Sequence, residues 1–266
     1  MEYTYLSDTV KVKKVSEDDL RGSFEIEGLF RGYGITIGNA LRRALLSSLP
    51  GAAITKFSFR GVGHEFTTVP GMVENVVELG LNLKKVRFYF HADEPQELVL
   101  KFKGEGEVRA KDIKGNTQVE VQNPELHIAT LTAKGAEVDM ILTVEKGLGY
   151  VPVEAQKIGR LPIGTIALDA VFSPVVNVNF SVENMRVGDR TDYNRLKLEI
   201  ETDGTISPSR ALHKAANVLG DHLKKVSEVE IGEEKISPKG STAKKTTADK
   251  QPKAKKPEAG GTAKEG

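Results

Sequence analysis

The chain has 266 residues, contains no cysteine and no tryptophan, and carries a formal net charge of +1. This length allows one or two domains with a sizeable core. The absence of cysteine excludes disulfides, thiol nucleophiles and thiolate metal sites. No apolar run approaches the roughly 18 residues of a membrane-spanning helix. The charge is unevenly distributed, because residues 233–266 carry nine lysines against five acids and leave residues 1–232 with a net charge of −3.

The body of the chain predicts a mixture of helices and strands. Residues 23–29 alternate apolar and acidic side chains, as a half-buried strand does. A glycine-rich stretch follows, and residues 36–49 then repeat apolar side chains at helical spacing. Residues 53–60 predict a strand, and a second helix is predicted over residues 70–83.

The second half of the body favours strands. Between residues 85 and 182 apolar side chains recur mostly with a period of two, and glycine-containing turns separate them. Residues 195–201 alternate in the same way. A last helix is predicted over residues 207–226, with Ser207 as its N-cap and Pro208 in its first turn. The fold class predicted for the body is therefore α+β.

Residues 233–266 consist mainly of Lys, Ala, Gly, Thr, Ser, Pro and acids, with Ile236 as the one large apolar residue. Such a segment buries too little apolar surface to offset the loss of chain entropy, so the sequence predicts a disordered basic tail. The tail is interpreted either as a solubilising tether or as a weak electrostatic contact to nucleic acid.

Gly32, Gly34 and Gly38 follow a predicted strand and precede a predicted helix, as the glycines of a dinucleotide-binding loop do. Their spacing is one residue longer than that motif, and no acidic residue ends the next predicted strand. We therefore interpret all three glycines as a tight structural turn between strand and helix.

Glu199, Glu201 and Asp203 are spaced by two, so a strand would place all three carboxylates on one face, where they could bind Mg²⁺. Apolar side chains alternate with them, which favours the solvent-facing side of a half-buried strand. The five histidines lack the spacing of a zinc pair. The sequence thus predicts no metal site, no cofactor and no catalytic residue.

Interaction chemistry remains. Arg42 and Arg43 lie side by side on the first long helix, away from the centre of its apolar stripe. Arginine pairs well with carboxylates and phosphates in a bidentate manner. The pair is interpreted either as a contact for an anionic partner or as ordinary charge on a solvated face.

The run LFRGYGITIGNALRRALLSSLPG at residues 29–51 resembles the signature of the alpha subunit of bacterial RNA polymerase. Seven further stretches resemble that family in the same order, and together they extend over about residues 10–228. They are GVGHEFTT (61–68), LNLK (81–84), GLGYVP (147–152), DAVFSPV (169–175), VENMRV (182–187), RTDYNRL (190–196) and ETDGTISP (201–208).

The resemblance implies a dimerisation domain of residues 1–50 and 174–232, built from a sheet and two long helices. A strand-rich domain of residues 51–173 would be inserted into it, and the disordered tail, residues 233–266, would follow. The two long helices would meet their copies at a two-fold axis. The dimer interface implied in this way comprises Leu41, Leu45, Leu212, Ala216, Leu219 and Leu223.

The resemblance also implies a function. The family dimer is a non-catalytic, cytoplasmic platform on which the beta and beta-prime subunits of DNA-directed RNA polymerase assemble, with omega and sigma as further partners and DNA contacted indirectly. The implied beta contacts are Arg43, Arg42, Leu46 and Ser47. The implied beta-prime contacts are Arg186, Val187, Arg190, Thr191 and Leu196.

Two stretches depart from the family pattern. Family members commonly carry a C-terminal DNA-binding domain after a linker. Residues 233–266 of this chain are instead of low complexity, so we do not expect this segment to contact promoter DNA directly. The loop at residues 153–161 is shorter and less acidic than in the family. The alternatives to an assembly subunit are a free-standing DNA-binding protein that acts through its basic tail, and a metal-dependent enzyme.

Overall fold

The structure is a computed structural model, and it describes residues 9–156, 162 and 164–229. The predicted tail at residues 233–266 and part of the loop at 153–161 lie outside the described residues. Within the described part, no helix combines the length and the apolar character needed to cross a membrane.

The described residues form helices and strands, each kind numbered in chain order. The helices are α1 (Tyr33–Ser47), α2 (Val76–Leu83) and α3 (Pro208–Ser227). The strands are β1 (Lys11–Glu17), β2 (Arg21–Leu29), β3 (Pro50–Phe59), β4 (Phe88–Phe90), β5 (Gln96–Lys103), β6 (Gly106–Arg109), β7 (Ile113–Lys114), β8 (Val119–Val121), β9 (His127–Leu131), β10 (Glu137–Leu148), β11 (Tyr150–Val151), β12 (Thr165–Ala167), β13 (Ala170–Val171), β14 (Val175–Val187) and β15 (Arg190–Thr202). This is the α+β structure that the sequence predicts.

A four-stranded antiparallel sheet supports the two longest helices. Its strand order is β1-β2-β15-β14. Alternate side chains of β2 and β15 are buried, because period-two patterning turns every second residue to the same face. Helices α1 and α3 pack on that face, and Phe24, Leu45, Leu198 and Ala215 belong to the resulting core.

A second hydrophobic core forms around a five-stranded sheet of order β12-β3-β10-β5-β7 and around α2. The central strand β10 is bonded to β3 on one side and to β5 on the other. Phe57, Leu79, Leu100 and Met140 are almost completely buried in this core. Three two-stranded pairs, β4-β8, β6-β9 and β11-β13, complete the described strands.

Several elements differ from the sequence prediction, and the differences at β1, α1 and α2 have a clear physical reason or a structural consequence. Strand β1 was not predicted, and it forms the edge of its sheet with nearly every side chain exposed. Helix α1 begins at Tyr33, three residues earlier than predicted. Helix α2 begins at Val76 rather than at residue 70, because the preceding segment bonds to β9, where the Val73 amide donates to the Thr130 carbonyl at 3.0 Å.

The N-terminus of helix α3 is capped by a carboxylate from strand β1. Ser207 occupies the predicted N-cap position, but its side chain makes no capping hydrogen bond. Instead, Glu17 at the end of β1 accepts from the Ser209 amide at 2.8 Å and from the Ser209 hydroxyl at 2.6 Å. These bonds, aided by Lys14, lower the pKa of Glu17 to about 2. A carboxylate here also interacts favourably with the helix dipole.

Replacing Glu17 by glutamine is expected to lower the free energy of unfolding by about 1 kcal/mol at neutral pH, since the charged cap of α3 is lost. The pKa of Glu17 is depressed in the folded chain, so its stabilisation is present above the unfolded pKa and is lost as pH falls towards about 2. Urea unfolding should therefore show a smaller difference between the two proteins at about pH 3 than at about pH 7.

A matched control is Asp19→Asn, which makes the same chemical change on an exposed neighbour in the β1–β2 turn. It should change stability by less than about 0.5 kcal/mol. An equal loss in both variants, or a Glu17→Gln difference that does not depend on pH, would contradict the capping role.

Candidate functional site

The predicted arginine pair lies on the solvent side of α1. Leu41, Ala44 and Leu45 of the same helix are buried in the core, so the side chains between them, Arg42 and Arg43, point away from it. Among the described residues, neither arginine has a carboxylate within ion-pairing distance. Two unpaired guanidinium groups on a rigid helix are suited to bind an anionic partner group.

Two further predicted contacts lie one turn along the same helix. Ser47 is exposed, and its hydroxyl donates to the Arg43 carbonyl at 2.7 Å. Leu46 is half-buried against the core. The structure thus brings Arg42, Arg43, Leu46 and Ser47 together at the C-terminal end of α1, with an apolar residue beside the two charges.

The three glycines before and within α1 have different roles. Gly32 is the N-cap and has a left-handed φ of 86°, so it forms the predicted turn. Gly34 and Gly38 lie inside the helix, which corrects their assignment to that turn. A β-carbon on Gly34 would lie 2.7 Å from Val182 Cγ1, and one on Gly38 would lie 2.7 Å from Phe180 Cδ2. These two glycines let α1 pack directly on β14.

Most of the residues predicted to contact beta-prime lie on the hairpin between β14 and β15. Arg186, Arg190 and Thr191 are exposed near its tip, and Val187 is half-buried. Leu196 is instead a completely buried core residue, because its side chain faces the helices. Leu196 is therefore removed from the predicted contacts.

Arg190 is held in place at the hairpin by several neighbours. It forms an ion pair with Asp192 at 2.9 Å, and this pairing lowers the pKa of the Asp192 carboxyl. Its guanidinium lies 5.4 Å from the centre of the Phe30 ring and 5.7 Å from that of Tyr193. Cation–π contacts of this kind fix the orientation of an exposed arginine. The hairpin tip thus presents an ordered arginine–aspartate pair beside aromatic surface.

The predicted dimer residues divide into two groups. Leu41 and Leu45 are buried within this chain, so they belong to its own core and offer no side-chain surface to a second copy. On α3, Leu212 and Leu219 are half-buried and Ala216 is exposed. Leu223, one turn further along, is 68% exposed. Only the α3 residues are therefore accessible to a partner.

Two of the three carboxylates that could bind a metal are engaged by arginines of this chain. Glu201 accepts two hydrogen bonds from Arg21, at 2.8 and 3.0 Å. Asp203 lies 3.4 Å from Arg87 and accepts from Thr205. Within the part of the chain that the structure describes, no group of three or more His, Asp and Glu side chains is arranged to bind a metal ion.

Comparison with known proteins identifies the family to which this chain is similar. Residues 54–173 match the family described as the RNA polymerase Rpb3/RpoA insert domain. The chain is 48% identical over 228 residues to the DNA-directed RNA polymerase subunit alpha of Symbiobacterium thermophilum, an alignment of 83% of this chain and 72% of that protein. This chain belongs to the family of DNA-directed RNA polymerase alpha subunits.

Other alpha subunits are equally similar. That of Carboxydothermus hydrogenoformans is 51% identical over 213 residues, which are 80% of this chain and 68% of the relative. That of Alkaliphilus oremlandii is 46% identical over 214 residues, or 80% of this chain and 67% of the relative. The family resemblance read from the sequence is therefore confirmed.

Asn194 connects helix α1 to the β14–β15 hairpin, the two elements that carry the predicted contacts of this alpha-family chain. The sequence patterns do not single it out. Asn194 of β15 is only 7% exposed. Its side-chain oxygen accepts from the Gly32 amide at 2.8 Å, and its amide donates to Asn184 at 3.2 Å. It thus ties the start of α1 to the β14–β15 hairpin. It lies inside the RTDYNRL stretch of the family resemblance, and that stretch is the signal that could have identified it.

Replacing Asn194 by leucine is expected to lower the free energy of unfolding by about 1–2 kcal/mol, since the Gly32 amide then loses its acceptor beside a buried apolar side chain. Thermal or urea unfolding measures this loss. As a control, Asn184→Ala removes the exposed partner and keeps the Gly32 bond, so it should cost about 0.5 kcal/mol. Equal losses in the two variants would show that the bond to Gly32 does not stabilise α1.

Proposed function

We propose that this chain is the alpha subunit of a DNA-directed RNA polymerase, which dimerises and carries the beta and beta-prime subunits during assembly. The observation that carries this proposal is the similarity to alpha subunits at 46–51% identity over about four fifths of the chain. In this role the chain is a non-catalytic part of an enzyme that makes RNA from nucleoside triphosphates. It works in the cytoplasm, and its contact with DNA is indirect.

The proposal includes a division into two domains and a tail. Residues 1–50 and 174–232 form the dimerisation domain, residues 51–173 form the inserted domain, and residues 233–266 form the tail. The two larger hydrophobic cores support the division, because one draws its buried residues from 52–166 and the other from 24–49 and 175–215. The family match to an insert domain at residues 54–173 supports the same boundaries.

The proposed beta contact is the C-terminal end of α1, with Arg43 as its centre and Arg42, Leu46 and Ser47 beside it. The two arginines are exposed and form no ion pair within the part of the chain that the structure describes, and they lie next to a half-buried leucine. Together they combine a charged anchor with apolar area. The proposed beta-prime contact is the β14–β15 hairpin, through Arg186, Val187, Arg190 and Thr191. Ordered charge and aromatic rings at its tip support this assignment.

The proposed dimer surface is the exposed side of α3, from Leu212 to Leu223. Leu223 and Val226 are 68% and 69% exposed, and such apolar side chains in a helical row are expected to be covered by a second copy. A symmetric interface would bring each helix against the same helix of the partner.

Replacing Leu223 by glutamate is expected to weaken dimerisation by about tenfold or more, since burying a leucine contributes about 1.5–3 kcal/mol and a buried charge opposes association. Light scattering coupled to size-exclusion chromatography, over a dilution series, measures this change. Lys224→Glu alters the charge of the adjacent exposed residue, which lies off the apolar row, and serves as the control. A Leu223→Glu protein with an unchanged dimer would contradict the proposed surface.

Co-expression with the beta and beta-prime subunits of the same cell tests the function itself. The expected result is a complex that contains two copies of this chain and both large subunits, whereas the chain alone should have no polymerase activity. Deleting residues 233–266 should leave this assembly intact. If the large subunits fail to co-purify while the chain binds DNA in a tail-dependent, salt-sensitive manner, the alternative of a free-standing DNA-binding protein is correct.

A further inference from the structure

A large open cleft lies between the elements of the two cores, away from the surfaces already assigned. Its volume is about 1020 Å³. One side is formed by the first turns of α3, with Arg210 and Lys214, and by the segment before that helix. The other side includes β4, with Tyr89, the start of β3, and Lys146 near the end of β10. We call it the basic cleft.

The charge of the basic cleft is opposite to that of the rest of the body. Arg210, Lys214 and Lys146 line it, and Asp19 is the one acidic residue in its lining. Residues 1–232 as a whole have a net charge of −3, so these cations are locally concentrated rather than part of a basic protein. A cleft lined by one sign of charge concentrates ligands of the opposite sign.

The cations of the cleft are poorly neutralised. Arg210 and Lys214 are four residues apart on α3, and both are exposed. Within the described ranges, neither has a carboxylate at ion-pairing distance. Lys146 reaches Asp93 at 3.4 Å, but the Asp93 side chain is 96% exposed, and such an ion pair contributes little. An anionic ligand would therefore find these charges available.

The floor of the cleft is partly apolar and well ordered. Tyr89 and Phe90 are half-buried in it. The Tyr89 hydroxyl donates to the Gly204 carbonyl at 2.9 Å, and Gln122 donates to the same oxygen at 3.2 Å. The tyrosine hydroxyl is therefore already used within the chain, and the two half-buried rings contribute apolar surface to the lining of the cleft.

Two features favour an extended polypeptide over a compact phosphate ligand. The Ser209 amide in the first turn of α3 is already bonded to the Glu17 carboxylate, so it is not available to a phosphate. The cations are also divided between α3 and β10 across an open volume at the upper limit of small-molecule pockets, rather than converging on one point. Separated positive charges in a cleft that is also lined by aromatic side chains fit a segment of alternating acidic and apolar residues.

We propose that the basic cleft binds an acidic, extended segment of a partner protein. The segment places its carboxylates near Arg210, Lys214 and Lys146, and its apolar side chains on Tyr89 and Phe90. This site lies apart from the α1 arginines, the β14–β15 hairpin and the exposed row of α3, so it would remain a separate site even if those assignments failed.

Fluorescence anisotropy tests the proposal with the full chain and a fluorescein-labelled peptide of alternating glutamate and leucine. Reversing both helix cations, in Arg210→Glu/Lys214→Glu, is expected to raise the Kd at least about tenfold, which corresponds to about 1.4 kcal/mol. The matched control is Lys224→Glu/Lys225→Glu, which makes the same charge change on the same helix outside the cleft, and it should leave the Kd within about twofold. Circular dichroism melting verifies that both variants fold.

Two competitors make the result decisive. A peptide with glutamine in place of glutamate should fail to displace the probe, and tripolyphosphate should displace it only at concentrations where salt of equal ionic strength does. Equal losses of affinity in the two double variants would overturn the proposal. Efficient displacement by tripolyphosphate that depends on Arg210 and Lys214 would also overturn it, in favour of a small-anion site.

Discussion

Replacing Gly38 by valine is expected to lower the free energy of unfolding by about 2–3 kcal/mol. A β-carbon at this position would lie 2.7 Å from Phe180 Cδ2 and 3.0 Å from Leu196 Cδ1, and valine adds two methyl groups beyond it. Removing a glycine from a helix interior gains at most about 1 kcal/mol, so the steric term dominates. Urea unfolding followed by circular dichroism measures the loss.

A graded pair of variants separates packing from backbone effects. Gly38→Ala gains the most helix propensity and adds the smallest clash, so its loss should be clearly smaller than that of valine. Thr36→Val places a valine on the exposed side of α1 and should change stability by less than about 0.5 kcal/mol. If Gly38→Val were as stable as Thr36→Val, close packing of α1 on the sheet would not require a glycine at residue 38.

The same helix shows what sequence patterns can and cannot establish. The apolar stripe predicts that one side of α1 is buried, and the structure agrees. However, spacing alone does not reveal that Gly38 faces Phe180, because that contact joins a helix to a strand far along the chain. The sequence therefore predicts a turn for all three glycines, although only Gly32 belongs to one.

For local reasons the sequence pattern predicts neither strand β1 nor the correct start of helix α2. Strand β1 is rich in lysine and lies at a sheet edge, where charge discourages pairing with other chains and weakens the strand pattern. For α2, Pro70 suggested a helix start, whereas Asn75 and Glu78 form a reciprocal capping box with bonds of 2.8 and 3.0 Å. That motif is visible in the sequence and could have located the start of the helix correctly.

The candidate contact residues show a similar limit. Leu41, Leu45 and Leu223 all occupy apolar rows, but a row does not tell which neighbour covers it. The structure buries the first two inside the chain and leaves Leu223 exposed. The family resemblance likewise implies Leu196 as a beta-prime contact, although its inward position in β15 makes it a core residue.

Replacing Arg43 by alanine is expected to weaken binding of the beta subunit by an amount on the order of 2–5 kcal/mol, if Arg43 is the central charged contact as proposed. The stability of the chain itself should change little, because Arg43 is exposed and has no ion pair among the described residues. Co-expression with beta, followed by size-exclusion chromatography and a titration of the purified subunits, measures the loss.

Two further variants define what Arg43 contributes. Arg43→Lys keeps the charge but removes the planar fork, so partial binding would indicate a bidentate contact and full binding a simple charge effect. Arg60→Ala removes an arginine whose side chain is 85% exposed and lies outside the proposed surface, and it should bind beta normally. If Arg43→Ala retained full affinity, the centre of the beta contact would have to lie elsewhere than at this arginine, whereas the family membership, which rests on the whole alignment, would be unaffected.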